Sequence, residues 1–138
     1  METNYKVELK YKQNNGGRSK YFRATGKDCV TRAIAIVLNR DYKEVHDTIK
    51  KVTKRSPLYG VSPILTHHIL IALGFEYVKF NGVRRFTADN IPMNEYIIAD
   101  SLNHVCAVIN GEVNDTFKSH EYISTRFING YYKLKTKR

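Results

Sequence analysis

The dipeptide Asn110-Gly111 lies between two strand-like runs, His104–Ile109 and Glu112–Phe117, and constrains this chain more than any other pair of residues. A two-residue type I′ hairpin turn needs positive φ at both central positions, and asparagine followed by glycine tolerates it. With that turn, Ile109 faces Glu112, Val108 faces Val113, Cys106 faces Asp115 and His104 faces Phe117. Side chains alternate along a strand, so His104, Cys106, Val113, Asp115 and Phe117 share one face, and Asn114 points the other way. His104 and Asp115 are then diagonal neighbours, a separation that side chains of this size can close.

Helical grammar precedes the hairpin. Cys29–Leu38 is an apolar run behind Asp28, which is placed to cap a helix that Asn39-Arg40 ends. Asp41 caps a second helix with Glu44 at the capping-box position, and Tyr42, Val45, Ile49 and Val52 recur at helical spacing. Ser62 caps a third, with Pro63 at its first position and Gly74 just beyond its end. Its residues Ile64, Leu65, Ile69, Leu70, Ile71 and Leu73 are too apolar to read a nucleic-acid groove, so it is expected to be a core helix. Short strands are expected at Phe75–Phe80, Tyr96–Ala99 and Tyr131–Lys135, with an irregular connection over Asn81–Met93. Lys6–Tyr11 alternates as a strand or arm, and Gln13–Ser19 is a flexible loop by composition. Three helices followed by an antiparallel meander within 138 residues predict one α+β domain over 1–138.

Cys29 is the candidate nucleophile. At the first position of a helix, a thiol meets unpaired N–H groups and the positive end of the helix dipole, both of which favour thiolate. Its own N–H points to where an oxyanion would form on an attacked carbonyl. The plainer reading is a packed thiol, since cysteine is among the most buried residues. The hairpin adds the partners: His104 as the base, with Asp115 to accept from the imidazole and stabilise the imidazolium.

A cysteine at a helix start, a histidine opening a strand and an aspartate on the next strand resemble the papain-like cysteine peptidase superfamily. More narrowly, GKDCVTRAIAIVLNRDYKEVHDTI, NHVCAVINGEVNDTF and a late NGYYKL are similar to a group of small phage-encoded papain-like proteins. The resemblance runs from about Tyr21 to Tyr132. It implies Cys29 as nucleophile, His104 as general base and acid, and Asp115 as the orienting group. It further implies N-terminal helices packed on a C-terminal antiparallel sheet, with the site in the groove between them. A cysteine protease or acyl-transfer enzyme of this kind acts on a protein or peptide-like substrate without a cofactor, here in the cytoplasm of an infected host. Such enzymes usually place a glutamine several residues before the cysteine to complete the oxyanion hole. Phe22–Asp28 contains neither glutamine nor asparagine, which leaves Arg23 or Thr25 for that task.

Charge supplies the competing expectation. The chain carries 23 Lys and Arg against 13 Asp and Glu, a formal net charge of +10. Such a field favours an acidic host protein or nucleic acid, and a binding module with a non-catalytic triad would use it. The basic residues are scattered, as on an ordinary solvated surface. No apolar run reaches membrane-spanning length, and the N-terminus lacks an apolar leader. The two cysteines do not make a disulfide framework, which fits a reducing compartment. Cys106 is expected to be a core residue, close to Cys29 if the first helix covers its face. His67 and His68 diverge by roughly 100° on a helix and cannot share a metal. His46 and His120 have no evident partner, and no metal site is expected.

Overall fold

The structure is a computed structural model in which residues 9–23, 26–116 and 126–135 are described. There are three helices, and the second and third carry the expected side-chain N-caps, whereas the Asp28 side chain does not cap the first. α1 spans Cys29–Leu38 and closes on Asn39 in the left-handed region, φ 53°. α2 spans Tyr42–Thr53, and the Asp41 carboxylate accepts the Glu44 N–H at 3.2 Å. α3 spans Pro63–Ala72, with the Ser62 hydroxyl accepting the Leu65 N–H at 3.2 Å and Gly74 following at φ 98°. The Asp41 and Ser62 caps each satisfy a backbone donor that the helix itself leaves free. Among the described residues no helix is long and apolar enough to cross a membrane.

Six strands form one sheet in the order β1-β5-β4-β3-β6-β2. They are β1 Lys10–Gln13, β2 Phe75–Arg85, β3 Tyr96–Ser101, β4 His104–Ile109, β5 Glu112–Asp115 and β6 Phe127–Leu134. The hairpin register is the expected one: Ile109 opposes Glu112, Val108 opposes Val113 and Ala107 opposes Asn114. Asn110 and Gly111 both have positive φ, 50° and 82°. Phe117, the expected partner of His104, lies outside the described residues, as do residues 1–8.

Three expectations change. The sheet is mixed, because β1 lies parallel to β5 at the edge, with Gln13 opposite Asp115. The first strand reaches this edge by way of the whole chain rather than a hairpin, so nothing forces it antiparallel. β2 continues through Asn81–Arg85 instead of giving way to a loop. It is paired with β6 on both sides of a register shift between Lys79 and Arg84, where Gly82 takes φ 96° and absorbs the irregularity. Finally, α3 is not a core helix. Only Thr66 and Leu70 are buried, whereas Ile64, Leu65, Ile71 and Leu73 are exposed. Its residues are apolar all round, so composition did not say which side would find a partner.

The sheet separates two apolar clusters. Val30, Ala33, Ile34 and Val37 of α1 pack with Val105, Ala107, Ile98 and Tyr132 on one face. Cys106, Val108, Val113, Ile97 and Ala99 meet Leu9, Phe80, Phe86 and Ile91 on the other. Cys106 is therefore a core residue, as expected, but on the face that α1 does not cover.

Gly130 in β6 is required by close approach. A Cβ at that position would stand 2.3 Å from the Val78 carbonyl oxygen and 2.9 Å from the Tyr77 hydroxyl. The carbonyl belongs to the neighbouring strand and cannot swing aside. Gly130→Ala is expected to lower unfolding free energy by about 3 kcal/mol, read from a urea midpoint shift.

Candidate active site

Asp28, the residue before the nucleophile, does not cap α1 with its side chain. It is only 1% exposed and turns inward instead. There it accepts from Arg32 one helical turn on and from the Tyr42 hydroxyl of α2, and Arg18 Nε lies 3.8 Å from Oδ2. A carboxylate this deep is tolerable only when paired, and two guanidiniums and a phenol supply the pairing. The Tyr42 phenol is pushed far up by burial and by that carboxylate.

Arg32 continues the chain of charges. Its other terminal nitrogen, Nη2, lies 3.6 Å from Asp115 Oδ1. Asp115 closes β5, is 4% exposed, and also accepts the Thr116 N–H at 2.7 Å. Its second oxygen, Oδ2, stands 2.7 Å from His104 Nε2. His104 opens β4, and its influence on Cys29, with that of Cys29 on it, puts the thiol and the imidazole in one site. The Val105 backbone also favours the Cys29 thiolate.

His104 has the strand parity of Cys106, which belongs to the face away from α1. It still reaches Cys29 because it is the first residue of β4 and Asp115 the last of β5. At the end of the sheet no further rung confines a side chain to one side. Asn114, opposite Ala107 and so of the parity that faces α1, bonds Asn14 at 3.0 Å instead of His104.

The electrostatics of the pair run in opposite directions. Burial pushes the Cys29 thiol up, but the His104 hydrogen bond and charge, the Val105 backbone and Arg32 together hold it below an ordinary thiol. Burial pushes His104 down, yet the hydrogen bonds to Asp115 and Cys29 and their charges raise it to about 9. Both directions favour the thiolate–imidazolium pair over the neutral one. Burial instead pushes the Cys106 thiol well up, leaving it neutral and inert.

Of the expected site residues, Cys29, His104 and Asp115 converge. Arg23 is exposed at the surface, and Thr25 lies outside the described residues. Sequence reasoning missed Arg18, Arg32 and Tyr42. The i, i+4 spacing of Asp28 and Arg32 was a readable signal of an ion pair, although not of a buried one. His46, which had no evident partner, is buried between Asp47 Oδ1 and Ser56 Oγ, each 2.9 Å away. His67 bonds the Tyr132 hydroxyl at 3.0 Å, and His120 lies outside the described residues. Among the described residues no three His, Cys, Asp or Glu side chains group to hold a metal ion. Comparison of the chain with protein-family models, with curated proteins and with solved structures finds no match.

Proposed function

We propose that this chain is a papain-like cysteine hydrolase or acyl-transfer enzyme, with Cys29 as nucleophile, His104 as base and acid, and Asp115 as orienting carboxylate. The observation that carries the reading is the His104–Asp115 hydrogen bond, 2.7 Å, together with the mutual shifts of Cys29 down and His104 up. In this reading the Cys29 thiolate attacks an amide, ester or isopeptide carbonyl, and the new S–C bond forms as the carbonyl π electrons move to oxygen. The imidazolium of His104 then protonates the leaving amine or alkoxide as that bond breaks, giving an acyl-enzyme. Neutral His104 next deprotonates water or an acceptor amine, which releases the acyl group and restores the thiolate–imidazolium pair. Because Asp28 bonds elsewhere, its side chain does not occupy the N–H groups of the first turn of α1, which supports their use toward the developing oxyanion.

The direct test is labelling by an electrophilic peptide probe that requires an activated thiol. Labelling at Cys29, abolished by Cys29→Ala, is the expected result, and unreactive thiols in the folded protein overturn the proposal. Asp115→Asn keeps the shape but removes the charge that favours imidazolium. It is expected to lower the acylation rate by about 10²–10⁴-fold, measured by the single-turnover rate of probe capture.

The net charge of +10 favours a second reading, a binding module for an acidic protein or nucleic acid on the same scaffold. Retained, salt-sensitive binding by the Cys29→Ala protein, together with a thiol of ordinary reactivity, would select it.

A further inference from the structure

Asp28 has a place in the chain that offers its carboxylate an easy use, capping the first turn of α1 in contact with water. It makes no such bond and is buried instead. Three neighbours hold it there: Arg32, the Tyr42 hydroxyl, and Arg18 with Nε at 3.8 Å. Burial of a carboxylate is costly even when it is paired. Its consequence for the site falls on Arg32.

Cys29 and Arg32 are three residues apart on α1 and so share a face of the helix. From that face the guanidinium forks toward two carboxylates. Nη1 bonds Asp28 Oδ1, whereas Nη2 stops 3.6 Å from Asp115 Oδ1, too far for a hydrogen bond. Asp115 Oδ1 accepts the Thr116 N–H at 2.7 Å, and Oδ2 stands 2.7 Å from His104 Nε2. A guanidinium free to approach a buried carboxylate closes on it as a bidentate pair that engages both oxygens. Such a pair at Asp115 would occupy the oxygen that faces His104 and offset the charge that favours imidazolium. The other titratable groups here are Arg18 and Tyr42 around Asp28, and Cys106 of β4, which feels the charge of Asp115. Burial pushes the Tyr42 phenol and the Cys106 thiol well up, so both stay neutral.

We propose that Asp28 is a positioning residue for the triad: it holds the Arg32 guanidinium back from Asp115 and so leaves that carboxylate oriented and charged toward His104. The inference rests on the acyl-transfer reading of Cys29 and adds the residue that sets the charge felt by its base. Asp28 acts through Arg32 and Asp115, not on the substrate. Its position immediately before Cys29 joins the restraint to the same helix start that carries the nucleophile.

The test follows the His104 imidazole of the full chain by NMR from pH 6 to 11, with its resonances assigned by comparison with His104→Gln. In the wild-type protein it should titrate near 9. Asp28→Asn keeps the shape and releases the guanidinium, and the titration should fall by about one pH unit. At pH 9 that leaves about fivefold less imidazolium. Arg32→Met should move the titration upward instead. With Arg32→Met in place Asp28 has nothing to hold back, so adding Asp28→Asn should then leave His104 within about 0.3 pH unit. Lost packing alone would not give a shift that removal of Arg32 cancels. An unmoved His104 in Asp28→Asn overturns the proposal, as does an equal fall in both backgrounds, which would mean that Asp28 acts by its own field. If Asp28→Asn does not fold, Arg32→Lys supplies the measurement. It keeps a cation for Asp28 but loses the arm toward Asp115, so His104 should rise, and a His104 that does not rise overturns the proposal. Thiol activation is read separately, by iodoacetamide alkylation of wild-type Cys29. A reactive thiol with an unmoved His104 refutes the role of Asp28 alone, whereas an ordinary thiol removes the acyl-transfer reading and leaves the His104 titrations to report on Asp28.

Discussion

Iodoacetamide is expected to alkylate Cys29 at pH 6 at least about tenfold faster than an unperturbed thiol, while Cys106 stays unlabelled in the folded protein. A thiol of ordinary pKa is roughly 0.3% thiolate at that pH, so even a modest downward shift is visible. The alkylation rate should reach its plateau at a lower pH than an unperturbed thiol does, and losing the imidazolium proton should not lower it, because that does not reprotonate sulfur. Turnover should behave differently. His104 must be protonated to serve as acid, and its value near 9 places the alkaline limb there. An alkylation profile with a single rise near pH 8.5 would remove the ion pair. Stability follows the same proton. The folded-state value of His104 lies above its ordinary 6.5, so its stabilisation is complete below about 6.5 and is lost as pH rises through about 9. Denaturant midpoints measured from pH 6 to 10 should fall across that window and flatten in His104→Gln.

Arg32→Met is expected to cost about 3–5 kcal/mol of unfolding free energy, the largest stability loss of any single substitution named here. The guanidinium bonds buried Asp28 with one nitrogen and approaches buried Asp115 with the other. Methionine fills similar volume but leaves two carboxylates without that counter-charge in a site closed to water. A fall in melting temperature on the order of 10 °C should accompany the loss at neutral pH. Part of it should return on acidification, as the stranded carboxylates take up protons. A loss below 1 kcal/mol would mean that Arg18 and Tyr42 alone hold Asp28. Arg32 also helps hold the Cys29 thiol down, so slower alkylation of the surviving folded fraction is expected.

Much of this arrangement was legible before folding because it rests on local rules. Asp41, Ser62, Asn110 and Gly111 act through bonds to residues within a turn, and each behaves in the structure as its chemistry dictates. The diagonal relation of His104 and Asp115 follows from a two-residue turn and the period of a strand. The length of β2 was not legible, because Asn81 and Gly82 read as breakers. Pairing with β6 carries the strand past them through a bulge. The exposure of α3 was not legible either, since a helix apolar on every side carries no directional signal.

By itself, then, the sequence determined the helix starts, the hairpin register and the face shared by His104 and Asp115. These are properties of adjacent residues and of backbone geometry. Only the tertiary structure decided that α1 covers the face opposite Cys106, and that Asp28 points inward rather than over its own helix. It alone joined Arg18, Asp28, Arg32, Tyr42 and Asp115 into one buried set of charges. Those residues come from a loop, two helices and a strand far apart in the chain. Their pairing is enforced by the cost of burying a charge alone, which no local pattern records.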